Sequence, residues 1–124
     1  MEDTRINFET AKLAKEKGFP QSRKAKGKFR DDGSIESLGI GGAMIDTCKE
    51  WYERPTQSLL AKWLREKYNL YTESQMYIEE GLYKFKYDIK SDFEYDLIVL
   101  KEKYNFSTYE EALEIGLQEA LKLI

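Results

Sequence analysis

The chain has 124 residues, of which 41% are hydrophobic and 35% charged, and its net charge is −3. These values are typical of one globular domain, residues 1–124, and they argue against a strongly basic nucleic-acid binder or a strongly acidic nucleic-acid mimic. The aromatic share of 14%, with nine tyrosines, argues against disorder.

The chain start and the cysteine content bear on the compartment. Residues 1–5 lack the basic segment and apolar run of a signal peptide, and no apolar stretch is long enough to span a membrane. Cys48 has no partner for an internal disulfide, which agrees with a reducing compartment. We therefore expect a cytoplasmic protein with no membrane partner. The sequence leaves its oligomeric state open.

A first helix is predicted from Phe8 to Lys17, with Asn7 as its N-cap and Gly18 after its end. Residues 21–54 form an irregular, basic segment within the domain. Inside this segment, residues 28–30 and 35–38 are predicted to pair as short strands, because the residues between them are rich in turn formers.

A second helix is predicted to begin after Thr56, since apolar residues then recur with helical spacing. We expect Trp63 to lie in the main core beside Leu60, Leu64 and Leu117. A third helix is predicted near the end of the chain, where Ser107 and Glu110 have the spacing of a capping box.

Strands are predicted between the last two helices. Residues 70–79 and 83–90 alternate between apolar and polar side chains, which is typical of a sheet with one buried face. Residues 93–100 suit a third strand, and a helix remains the alternative there. The predicted fold is α+β, a small antiparallel sheet of about three to five strands with helices on one face, in the order α-β-β-α-β-β-β-α.

The absence of histidine limits the chemistry that the protein can perform. It excludes histidine acid–base catalysis, serine–histidine and cysteine–histidine nucleophile pairs and zinc sites that need imidazole. We expect no catalytic residues, no metal site, no cofactor and no enzymatic activity. Asp31 and Asp32 suit a turn better than a metal site. The enzymatic alternative is a metal-dependent nuclease that uses Asp92, Glu94 or Asp96.

A basic row is the candidate binding site. It consists of Arg23, Lys24, Lys26, Lys28, Phe29 and Arg30. If the segment is extended, Lys24, Lys26, Lys28 and Arg30 project to the same side. Such a row suits an RNA backbone, a nucleotide phosphate or an acidic protein surface, and the alternative is a solubilising basic loop.

Three segments of the chain resemble a known group of proteins. They are FETAKLAKEKGF at residues 8–19, PTQSLLAKWLREKY at 55–68, and YEEAL through LKLI at 109–124. In this order and spacing they resemble short bacteriophage and prophage accessory proteins, a group that supplies no catalytic residue.

The resemblance implies a role in disabling host defence, including inhibition of the anti-CRISPR type. We therefore expect a counter-defence protein that binds a host RNA-guided nuclease or its guide RNA. One alternative is a sponge for a nucleotide second messenger of host immunity, in which tyrosines stack on the base and the phosphate is held by Arg23, Lys24, Lys26 and Lys28. The other is a phage structural or regulatory protein.

Overall fold

The computed structural model describes residues 4–21, 28–30, 32–35, 51–93 and 96–124. Within these ranges it confirms the predicted α+β fold and the predicted order of elements. These are α1 (Phe8–Glu16), β1 (Phe29–Arg30), β2 (Trp51–Tyr52), α2 (Gln57–Tyr68), β3 (Leu70–Glu79), β4 (Leu82–Phe93), β5 (Asp96–Phe106) and α3 (Tyr109–Lys122).

The helices begin at capping residues, one of which differs from the prediction. Asn7 accepts a hydrogen bond from the Thr10 amide at 2.9 Å, and Thr56 caps α2 in the same way. The N-cap of α3 is Thr108, whose hydroxyl accepts from the Glu111 amide at 3.1 Å. The predicted capping box at Ser107 was therefore wrong by one residue, because Ser107 lies outside the first turn.

The larger sheet has the antiparallel order β3-β4-β5. Glu80 and Gly81 connect β3 to β4, and both have positive φ angles, of 51° and 75°. Two such residues give a turn whose twist matches that of the flanking strands. The third strand expected at residues 93–100 is present from Asp96 onward, because β5 runs from Asp96 to Phe106, and the helical alternative is wrong there. Its predicted start at Phe93 is wrong, since Phe93 is the last residue of β4.

The smaller sheet pairs β1 with β2, and Phe29 lies opposite Tyr52. Phe29 also forms an isolated bridge with Ile35, so the pairing expected across the turn is present at that position. Residues 36–38 and Asp31 lie outside the described part of the chain. Asp32 accepts hydrogen bonds from the Ser34 hydroxyl and amide, which lowers the pKa of its carboxyl, as expected for an aspartate that stabilises a turn.

The core lies between the larger sheet and the helices. Its fully buried side chains include Leu60 and Leu64 of α2, Leu117 of α3, and Tyr87 and Ile89 of β4. Gly116 allows α3 to approach the sheet closely, because a Cβ atom there would lie 3.0 Å from the Tyr87 side chain and 3.1 Å from that of Thr72.

Trp63 does not lie in the centre of this core, contrary to the prediction. It is half-buried and packs edge-to-face on Phe19 and Tyr68, with ring centroids 5.2 and 5.3 Å away. Leu60 and Leu64 occupy the inner stripe of α2, whereas Trp63 covers the chain that follows α1.

None of the helices in the described part of the chain combines the length and the apolar character needed to cross a lipid bilayer.

Candidate interaction surface

Only part of the predicted basic row lies in the described part of the chain. Arg23, Lys24 and Lys26 lie outside the described part of the chain. Lys28 is only 4% exposed, and its ammonium lies 3.2 Å from the Glu53 carboxylate. Lys28 is therefore a buried member of an ion pair. The prediction that the basic row is extended and exposed was wrong at this residue.

The other two residues of the row belong to β1. Phe29 is buried, and its ring packs against Phe8 at a centroid distance of 5.6 Å. Arg30 is half-buried, and its amide donates to the Ser34 carbonyl at 2.7 Å. The described end of the row thus contributes to folding, which the density of basic residues in the sequence did not indicate.

The turn end of the larger sheet is exposed. We call residues 76–85, which comprise the end of β3, the turn and the start of β4, the projecting end. Met76, Ile78 and Tyr83 are 58%, 66% and 68% exposed, although they share a face with the buried Tyr87. Leu82 is exposed on the opposite face. Large apolar side chains therefore face solvent on both sides of this end.

A second apolar surface lies on β5. Leu97, Ile98, Val99 and Leu100, which we call the apolar run, are each between 45% and 54% exposed. Because β5 is an outer strand of the sheet, its free edge is not paired with another strand of the described chain. The apolar run thus combines exposed side chains with unpaired backbone groups.

On the face of the larger sheet that points away from the helices, a row of acidic residues crosses the three strands. Glu73 lies opposite Asp88, and Asp88 lies opposite Glu102. Lys86 neutralises part of this row, with its ammonium 3.5 Å from Asp88 and 3.9 Å from Glu102. Burial disfavours the charged ammonium, but the Tyr104 hydroxyl and the two carboxylates outweigh it and raise the pKa of Lys86.

Asp92 and Asp96, the two residues of the nuclease hypothesis that the structure describes, are not brought together. Asp92 lies opposite Leu97, whereas Asp96 lies opposite Phe93, so the two aspartates project from opposite faces of the sheet. Glu94 is outside the described residues. Within the described ranges, no group of three or more acidic or cysteine side chains is arranged to hold a metal ion.

A groove of about 570 Å³ lies between α2 and residues 19–21 and 53–55. Trp63, Leu59 and Phe19 supply its apolar lining. Its charged residues are of both signs: Arg5, Arg54 and Lys62 are basic, and Glu53 and Glu66 are acidic. The Nε atom of Arg54 is buried and makes no hydrogen bond to another residue of the described ranges. Burial, together with the charge of Arg5, lowers the pKa of Arg54.

Comparison with protein-family models, curated proteins and solved structures finds no match to this chain.

The exposure of the projecting end and of the apolar run was not predicted from the sequence. Four consecutive apolar residues at 97–100 break the alternation expected of a strand with one wet face. That run was the signal that both faces of β5 carry apolar side chains. For the projecting end, the regular alternation gave no such signal.

Proposed function

We propose that this protein is a non-enzymatic inhibitor that works by binding a macromolecular partner in the cytoplasm of a host cell. The resemblance to phage accessory proteins suggests the partner, a host RNA-guided nuclease or its guide RNA. The observation that carries the binding role is the projecting end, where Met76, Ile78 and Tyr83 are exposed side by side.

The composition of the projecting end suits a protein interface. Adjacent exposed apolar side chains are uncommon on monomeric proteins unless they serve recognition, and tyrosine and methionine are enriched in interfaces. Glu79 and Glu80 supply a polar rim at the turn. The two-residue turn is closed by the pairing of Glu79 with Leu82, so these side chains are already positioned by the sheet before binding, which reduces the entropy lost.

The basic residues belong to the same proposal. Arg23, Lys24 and Lys26 are assigned to an anionic part of the partner, such as the backbone of a guide RNA. Lys28 and Phe29 support this segment from within the fold, because the ion pair with Glu53 and the packing on Phe8 anchor β1.

The test is inhibition of target cleavage by a reconstituted host RNA-guided nuclease. We expect inhibition to be complete near one protein per nuclease. The double variant I78D/Y83D should weaken it by ~100-fold, because charged side chains would be placed in the centre of the interface. The variant should still fold by circular dichroism, since both residues are exposed. A small loss of stability is expected, because the two introduced carboxylates lie opposite each other.

The matched control is Leu59→Asp. Leu59 is 52% exposed in the first turn of α2, away from the larger sheet, where an acidic residue is favourable. This control should inhibit like the parent protein. An equally potent I78D/Y83D variant, or no inhibition by the parent protein at any ratio, would contradict the proposal.

Sequestration of a nucleotide second messenger is the second candidate, favoured by the groove that Arg5, Arg54 and Trp63 line. Two guanidinium groups beside an aromatic ring suit a phosphate and a base. Calorimetry with a cyclic dinucleotide separates the two candidates, because only sequestration requires the nucleotide to bind in the absence of a protein partner.

A further inference from the structure

The free edge of β5 carries an unusual side-chain pattern for an outer strand. Its first half contains the apolar run, with all four residues about half exposed. Exposed hydrophobic edges pair readily with other strands, and monomeric proteins usually protect them. In this chain α3 packs mainly over β3 and β4, so it leaves much of β5 uncovered.

A β-bulge in β5 determines which side chains share a face. Ile89 lies opposite Lys101, but Lys90 lies opposite Val99, so Leu100 is the additional residue of β5. Asp96, Ile98, Lys101 and Lys103 consequently pair with alternate residues of β4 and project from the face that carries the helices.

We propose that β5 pairs antiparallel with β5 of a second copy of this chain, about a two-fold axis that passes between Val99 and Leu100. This register places Asp96 of each copy opposite Lys103 of the other, and both residues lie on the same face. The two apolar runs meet at the centre, and the six strands form one continuous sheet.

The charges along β5 favour this register and a second copy of the chain as the partner. Lys101 is already bound to Glu119 at 2.5 Å, whereas neither Asp96 nor Lys103 forms an ion pair with another residue of the described ranges. An axis through Val99 would instead place Asp96 opposite Glu102, with like charges and mismatched faces. A second copy therefore supplies the missing partner for both residues.

The helices leave room for the second copy. A perpendicular two-fold axis keeps both α3 helices on the same face, and adjacent strands are separated by about 4.8 Å. Because α3 packs mainly over β3 and β4, the two β5 strands separate one α3 from the other. The contact is short, so we expect a reversible dimer that forms in the micromolar range, as small interfaces do.

Sedimentation velocity of the full chain over a concentration series tests the proposal. We expect a monomer–dimer equilibrium for the parent protein. Asp96→Lys and Lys103→Asp should each weaken dimerisation by ~10-fold or more, because each places like charges opposite each other. The charge-swapped double variant D96K/K103D should restore the parent affinity to within about threefold, since it rebuilds both pairs.

Thermal unfolding of each variant serves as the folding control, and Glu80→Lys, at the exposed turn, serves as the control for a change of net charge. A parent protein that stays monomeric at millimolar concentration would overturn the proposal. A dimer that the single variants leave unchanged would also overturn it, because the interface would then lie elsewhere. A double variant no better than the singles would reject the register.

Discussion

The larger sheet has two parts that share a sequence pattern and differ in burial. In the part under the helices, Tyr87 and Ile89 are almost fully buried. In the projecting end, Ile78 and Tyr83 occupy the same face and are largely exposed. Alternation therefore determines which side chains share a face, but a second layer of structure determines whether that face is buried.

The lengths of the elements account for the difference. The 12 residues of β4 extend for about 40 Å, whereas the 14 residues of α3 extend for about 21 Å. A sheet of this length extends past a helix layer of this length. Its far end must then contact solvent or another molecule, which connects the fold directly to the proposed binding role.

The difference in burial between the two parts of the sheet can be tested with two tyrosines that lie on the same face of β4. Tyr87→Ala should destabilise the protein by about 3–5 kcal/mol, because it leaves a cavity under α3. Tyr83→Ala should change stability by less than about 0.5 kcal/mol, since that side chain is exposed. Urea unfolding measures both values. Similar losses for the two variants would show that the projecting end is covered in solution.

A smaller effect is expected at Gly116, where α3 approaches the sheet closely. Gly116→Ala gains up to about 1 kcal/mol in helix propensity, but overpacking costs about 1–3 kcal/mol. We expect net destabilisation, because the new methyl group would lie 3.0 Å from Tyr87. Thermal unfolding gives the sign, and a stabilised variant would show that α3 does not pack so closely on β4.

Much of the fold was predictable because local signals determine it. The N-caps at Asn7 and Thr56 and the alternation in β3 and β4 depend on residues close in sequence. The position of Trp63 was not predictable in this way. Its spacing from Leu60 and Leu64 fits the apolar stripe of α2, and only the course of the chain at Phe19 decides that it lies at the core margin.

The candidate site was less predictable than the fold. The cluster of basic residues indicated an exposed row, but Lys28 is buried in an ion pair with Glu53. Glu53 lies 25 positions later in the sequence and becomes a neighbour of Lys28 only through the pairing of β1 with β2. The exposure of the projecting end depends on where α3 begins relative to β4. Such long-range relations leave no local pattern in the sequence.

The smallest predicted effect concerns the border between the covered sheet and the exposed edge of β5. Glu119 of α3 binds Lys101 of β5 at 2.5 Å and lies 3.5 Å from Lys122. The hydrogen bond from Lys101 lowers the pKa of Glu119 below its ordinary value of 4.5. A lowered folded-state pKa means that the stabilisation is present above pH 4.5 and is lost as the pH falls through the folded-state value.

Glu119→Gln should therefore cost under about 1 kcal/mol at pH 7, because ion pairs near the surface contribute little. The variant should also lose less stability than the parent protein when the pH falls from neutral into the acid range below 4.5. Urea unfolding at pH 7 and at acid pH measures both. Lys101→Met is the matched control, since removing either partner should give the same change and the double variant should add little. If the parent and Glu119→Gln proteins lose stability equally in acid, this contact does not hold β5 to α3.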